Sequence, residues 1–229
     1  MATFVLVHSP LVGPTTWKRV AEELQRRSIG VIVPTLSTDP STKPYWKQHT
    51  QKVVTALEAT PTAEPLILIA HSGAGVLLPA IRQTMSRPVA GYIYVDAGLP
   101  KNGASRLDLF GLPEERQQFR ESAQNGLLPT WSDDDLREAI TDDDLRREFV
   151  AELRPLPVAV YEEPIPVFDG WPNAPCAYLL FSETYREFAT FAENQGWPHA
   201  ELMGGHFHML NHPVEVAETL LELAKKMNT

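Results

Sequence analysis

Short apolar runs rich in β-branched residues, each followed by turn residues and a helical pattern, predict an α/β fold on a mostly parallel sheet of about six strands. The runs are apolar on both faces, as strands covered by helices on two sides must be. Right-handed crossovers between such strands make the sheet doubly wound. A stretch of different composition after the fourth run predicts a small helical lid inserted at that point.

In chain order, "TFVLVH" (residues 3–8) reads as a buried strand, and "TTWKRVAEELQRR" (15–27) as an amphipathic helix beginning near a threonine cap. "GVIVPTL" (30–36) is the second strand, followed by a helix near 45–59. "LILIA" (66–70) is the third, followed by a helix over about 73–86 whose Pro79 should kink it or delay its start. "GYIYVDAG" (91–98) is the fourth. After the interruption come "CAYLLF" (176–181), a helix near 184–195, the short strand "HAELM" and the closing helix "PVEVAETLLELAKK". That last helix carries Val214, Ala217, Leu220, Leu221 and Ala224 on one face, with Pro213 in its first turn.

Residues 1–100 and 173–229 thus form the α/β core and 101–172 the helical lid. The lid holds two near-copies, "SDDDLREA" and "TDDDLRRE". Ser132 and Thr141 read as helix N-caps, with first-turn aspartates complementing the helix dipole.

The 229 residues are 43% hydrophobic and 21% charged, enough to bury one full core. A net charge of −9 and the lack of any basic cluster argue against nucleic-acid or anionic-membrane partners. No apolar run approaches the roughly 20 residues of a membrane span. The N-terminus lacks the basic lead-in of a signal peptide, and the single cysteine, Cys176, cannot pair within the chain. These features read as cytoplasmic. The oligomeric state stays open, a homodimer among the options.

The chemistry-bearing stretch is "LILIAHSGAG" (66–75), where an apolar strand stops at a histidine, a serine and two glycines. A reactive serine above a parallel sheet needs a sharp strand-to-helix turn with small neighbours. Ser72 is flanked by Ala70 and Ala74, with Gly73 and Gly75 close by, a degenerate form of G-x-S-x-G. The plainer reading is a serine that caps the following helix. More than a hundred residues later, "ELMGGHFHMLNHP" places His206 after two glycines, between the last strand and the last helix. Serine first and histidine near the end is one of the chain orders in which a serine–histidine pair is assembled. A hydroxyl is a poor nucleophile until a base accepts its proton, and a neutral imidazole with a pKa of about 6.5 suits that role.

The sequence resembles the α/β-hydrolase superfamily, and within it the compact branch of methylesterases, hydroxynitrile lyases and bacterial esterase relatives. "FVLVHSP…TTW", "AHSGAG", "YVDAGLP" and "GGHFHML" carry the resemblance across nearly the whole chain. It implies Ser72 as nucleophile, His206 as general base, Gly73 N–H as an oxyanion donor and His8 as a support for the neighbouring loop. His71 is expected to pack beside the sheet. His206, His208 and His212 fit no common zinc spacing, so no metal is expected, nor any organic cofactor.

Two departures stand out. The family usually places its triad aspartate after the strand matching "CAYLLF"; here Thr184 holds that position and Glu183 precedes it. Asp96, ending the fourth strand, is preferred over Glu183 as the acid, because a carboxylate there costs desolvation unless it has a partner such as His206. The second departure is "VHSPLVGP": where relatives read His-Gly-X, this chain has Ser9 and Pro10, and proline has no N–H to donate. Either Leu11 N–H or the Ser9 hydroxyl then completes the oxyanion hole, or the hole is incomplete. The leading expectation is a serine hydrolase acting on a small ester, lactone or thioester, with Phe110, Trp131, Phe168 and Trp171 as candidate pocket walls. A lyase or cyclase using the same pair for proton transfer, and a non-catalytic binder of small apolar ligands, are the alternatives; Phe207 after the histidine speaks against cyanohydrin cleavage.

Overall fold

The computed structural model describes residues 2–60, 63–109 and 111–227. In chain order the elements are β1 (Thr3–Val7), α1 (Thr15–Arg26), β2 (Val31–Ile32), α2 (Tyr45–Ala59), β3 (Leu66–His71), α3 (Leu78–Thr84) and β4 (Val89–Val95). They continue with α4 (Pro113–Glu121), β5 (Leu127–Leu128), α5 (Asp143–Glu152), β6 (Leu156–Pro157) and α6 (Ala159–Glu162). Last come β7 (Cys176–Leu180), α7 (Arg186–Asn194), β8 (His199–Glu201), α8 (His208–Asn211) and α9 (Pro213–Lys226).

Six strands form one sheet in the order β2-β1-β3-β4-β7-β8, and every pairing in it is parallel. The two-residue alternation of the strands divides the core between its two faces. Phe4, Leu6, Ile67, Ile69, Ile93, Val95 and Leu179 pack with Trp17, Val20 and Leu24 of α1 and Val216, Leu220 and Leu223 of α9. Val5, Val7, Leu66, Leu68, Tyr92, Tyr94 and Tyr178 pack with Val53 and Leu57 of α2, Ile81 of α3 and Ala189 and Ala192 of α7. Each fully buried side chain of this kind stabilises by roughly 1.5–3 kcal/mol. The continuous apolar strands of the sequence are therefore satisfied by helices on both sides.

The register positions the site. Val7 pairs with Ala70, His71 with Val95, and Val95 with Leu179, so the carboxyl ends of β1, β3, β4 and β7 lie side by side. The strand order reverses between β1 and β3, where an open α/β sheet leaves a crevice at its carboxyl edge.

Several expectations differ in detail. The first helix starts without a threonine cap: Pro14 precedes it, and the Thr15 N–H donates to Glu152 Oε2 of α5 at 2.9 Å. The second strand shrinks to Val31–Ile32, since Pro34 denies it a ladder donor. The chain after β3 runs as a 3-10 turn over Ser72–Leu77 before α3 begins, with Pro79 in the first turn of α3, so the proline delays the helix. Ser132 does bond the Asp135 N–H, but only over one 3-10 turn. Thr141 instead donates to Asn211, and Asp142 caps α5 by accepting from the Asp144 and Leu145 N–H groups. On α9 the buried face is Val216, Ala217, Leu220, Leu223 and Ala224, while Val214 is 48% exposed.

Between β4 and β7 the chain leaves the sheet and forms α4, α5, α6 and the antiparallel β5–β6 pair. Leu145 and Phe149 of α5 join the α1 face of the core. Leu107, Leu128, Leu156, Val160 and Tyr161 form a separate cluster with Tyr45.

Candidate active site

Ser72 follows the last residue of β3 with φ +57°, the left-handed region that side chains with a Cβ avoid. Such strain persists only where the surroundings dictate it. Here the turn passes so close to the neighbouring strand end that a methyl on Gly75 would lie 2.3 Å from the Gly98 carbonyl oxygen. The Ser72 hydroxyl does not cap the turn; His71 occupies the cap position and no side chain bonds there. Instead Ser72 Oγ lies 3.3 Å from Tyr185 OH.

Asp96 follows β4 with φ +43° and is fully buried. Four donors surround its carboxylate. Phe181 N–H and Ser182 N–H each donate to Oδ1 at 2.9 Å, Ser182 Oγ–H donates to Oδ2 at 2.7 Å, and His206 Nδ1–H donates to Oδ2 at 2.7 Å. The loop after β7, which lacks the usual aspartate, thus supplies hydrogen bonds to an acid from the adjacent strand. An unpaired buried carboxylate would be prohibitively costly, and these four donors offset that cost. Glu183, in contrast, is exposed and ion-paired with Arg186 at 2.8 Å.

Fixing the proton on Nδ1 leaves His206 Nε2 as the ring's acceptor. The ring is held on both sides: Tyr185 stacks parallel at 5.2 Å and 7°, and His71 lies 4.4 Å away. His71 Nε2–H donates to the His206 carbonyl at 3.0 Å, and full burial keeps its imidazole neutral by lowering its pKa well below the ordinary value. Among the described residues Ser72 and His206 share no hydrogen bond, yet both line one cavity. Such contacts are often long before substrate binds.

The loop after β1 forms the opposite wall. His8 is fully buried, with its pKa lowered to about 4 by desolvation. Its Nδ1–H donates to the Ser9 carbonyl at 2.8 Å and its Nε2 accepts the Leu36 N–H at 3.1 Å, which pins the loop. With no N–H on Pro10, the next donor, Leu11 N–H, is directed at Ser9 Oγ at 3.4 Å. Ser9 Oγ in turn lies 3.3 Å from Tyr161 OH. Both hydroxyls border Gly73: a Cβ there would lie 2.9 Å from Tyr161 OH and 3.3 Å from Ser9 Oγ. Arg106, buried at 4% exposure, donates from Nε to the Gly73 carbonyl at 2.8 Å and from Nη1 to the Val160 carbonyl at 2.7 Å.

The cavity holds about 390 Å³, and Leu11, Val12, Val76, Leu109, Phe119, Trp131 and Phe207 make it largely apolar. Trp131 is a wall residue as expected. Phe168 and Trp171 are not: they pack against each other, and Trp171 lies on Tyr92, on the α2–α7 side of the sheet. Phe110 lies outside the described residues. Sequence reasoning missed Tyr185, Tyr161 and Arg106, which carry no motif and reach the cavity only through tertiary folding. "SETY" next to the displaced acid position was the one available pointer to Tyr185.

Comparison with known proteins agrees with this architecture. The carbendazim hydrolyzing esterase of Nocardioides sp. (strain SG-4G) is 26% identical over an alignment covering 97% of this chain and all of that protein. Among solved structures, an extracellular alpha/beta-hydrolase from a Paenibacillus species superposes with a TM-score of 0.78 at 21% identity, covering 97% of this chain and 99% of that one. Tomato methylketone synthase I bound to 2-tridecanone gives 0.71 at 15% identity, covering 99% and 98%. The alpha/beta hydrolase family matches residues 4–219, and with the parallel sheet and strained serine turn already described, this chain belongs to that family.

Proposed function

We propose that the protein is a serine hydrolase that cleaves a small ester through an acyl-enzyme. The observation that carries this reading is the 2.7 Å Asp96–His206 contact on the same cavity that Ser72, at φ +57°, lines. The relation to an esterase over the full length of both chains supports the bond type.

In this reading Ser72 Oγ swings from Tyr185 toward His206, gives its proton to Nε2 and attacks the carbonyl carbon. Asp96 holds the ring and stabilises the imidazolium that forms. The negative oxygen of the tetrahedral intermediate meets Gly73 N–H and the Leu11–Ser9 pair, in which Leu11 N–H polarises the Ser9 hydroxyl that faces the oxygen. His206 then returns the proton to the departing alkoxide. Water, deprotonated by the same ring, releases the acid and restores Ser72. The insert (101–172) acts as a lid whose Trp131 and Phe119 present an apolar wall to the acyl or alcohol group.

The test is reaction with a fluorophosphonate, peptide mapping of the adduct, and turnover of p-nitrophenyl acetate. Labelling at Ser72, lost together with turnover in Ser72→Ala and His206→Ala, is the expected result. No adduct, or one on another residue, sinks the acyl-enzyme reading. His206-dependent turnover of the ester with no adduct would mark general-base attack by water without an acyl-enzyme, and no ester turnover at all would favour the lyase or cyclase chemistry instead.

A further inference from the structure

The turn that carries His206 holds a second group of ligating side chains that the proposed reaction does not use. His208, His212 and Glu215 follow at i, i+4 and i+7, the spacing of one helix face. α8 and α9 are separated only by His212, whose non-helical corner (φ −126°, ψ 54°) still leaves the three side chains together. His208 Nε2 lies 3.1 Å from Glu215 Oε2. The His208 and His212 rings stack with centroids 4.5 Å apart and planes 17° from parallel. One donor atom from each residue lies within 4.8 Å of the other two.

We propose that His208, His212 and Glu215 form a binding site for a divalent cation of the zinc class. Two imidazoles and one carboxylate are the borderline-soft donors such an ion takes, with water in the fourth position. Bonds of about 2.1 Å in tetrahedral geometry put donor atoms about 3.4 Å apart. His208 and Glu215 already meet that separation, and the exposed His212 and Glu215 side chains rotate to close the rest.

His208 is the fixed member. It is 6% exposed and packs at 5.4 Å on Phe181. Its Nδ1 lies against Gly204, where a methyl would sit 2.0 Å away, and Nδ1 has no hydrogen-bond partner among the described residues. Nε2 is therefore the atom presented to Glu215. A simple His208–Glu215 hydrogen bond would account for that pair but not for the His212 ring laid over His208. Metal binding ties the turn between His206 and α9 to the first turn of α9. Phe207, which lines the cavity, lies inside that turn, so the ion braces the base-bearing segment without touching substrate.

The test uses the full chain, freed of metal by chelator and titrated with zinc chloride by calorimetry and with cobalt(II) by visible absorption. Saturable binding of one equivalent is expected, with tetrahedral cobalt bands and a thermal midpoint that rises with metal. His212→Ala and Glu215→Gln change only exposed side chains; each is expected to weaken binding at least about tenfold while leaving the metal-free midpoint unchanged. Absence of saturation below about 1 mM metal, or affinity unchanged in both variants, overturns the site. Either result leaves fluorophosphonate labelling at Ser72 unaffected, so the two readings fail separately.

Discussion

Protonation of His8 should destabilise the fold as pH falls through the weakly acidic range. Its imidazole titrates near 6.5 when exposed and at about 4 in the folded chain, because burial removes water from the charged form. Between these values the unfolded chain binds the proton and the folded chain does not, so stability is full above about pH 6.5 and declines below it. The complete difference is roughly 3.4 kcal/mol, and roughly 2 kcal/mol is already lost by pH 5. Urea unfolding of wild type and His8→Asn at pH 8 and pH 5 isolates this contribution. Asparagine keeps a donor and an acceptor but cannot titrate. The variant is expected to be less stable at pH 8, yet its loss between pH 8 and pH 5 should be about 2 kcal/mol smaller. His49, lowered to about 3 by burial, by Arg106 and by His8, and the buried His71 act in the same direction in both proteins. The burial contribution, the largest in each, cancels in the comparison, and only the smaller part due to His8 does not. Glu163, raised by burial, acts oppositely and cancels likewise. Parallel pH curves for the two proteins would refute the assignment of His8 as a buried neutral imidazole.

Three further outcomes follow from the site. Asp96→Asn should reduce kcat on p-nitrophenyl acetate on the order of 10³- to 10⁴-fold by presenting the wrong ring tautomer, while Glu183→Gln leaves it within about twofold; equal losses would mean that the wrong acid has been chosen. Tyr185→Phe keeps the stack on His206 but removes the hydroxyl bonded to Ser72, and should speed fluorophosphonate labelling about fivefold, the equivalent of one ordinary hydrogen bond of about 1 kcal/mol. Slower labelling would instead show that the hydroxyl assists the attack. Gly75→Ala drives a methyl against the Gly98 carbonyl, both of them backbone-anchored, and should cost about 3 kcal/mol in urea unfolding.

The parallel sheet was legible in the chain because its signal is local. Runs such as "LILIA" are apolar at every position, short and bounded by turn residues, as a strand covered on both faces is. Ser72 was legible for a related reason, since it sits where a strand ends and small residues begin, and His206 because it follows two glycines between the last strand and the last helix. Local signals misplaced what is set by contacts far apart in sequence. Thr15 has the composition of a cap, yet Glu152, 137 positions away, reaches its N–H first. Phe168 and Trp171 have the size of pocket walls, but Trp171 fills space against Tyr92 and Phe168 packs on Trp171.

By itself, then, the sequence determined the fold class, the strained serine turn and the histidine that follows the last strand, because these depend on periodicity and backbone sterics within a few residues. Only the tertiary structure shows that Asp96 meets the His206 ring while Glu183 pairs with Arg186, since the four donors around the Asp96 carboxylate come from β7's loop and from His206, up to 110 positions away. It alone also placed Tyr185 against both, its hydroxyl on Ser72 and its ring on His206. A buried carboxylate or hydroxyl is defined by the partners that replace its water, and those partners are adjacent in space and not in sequence.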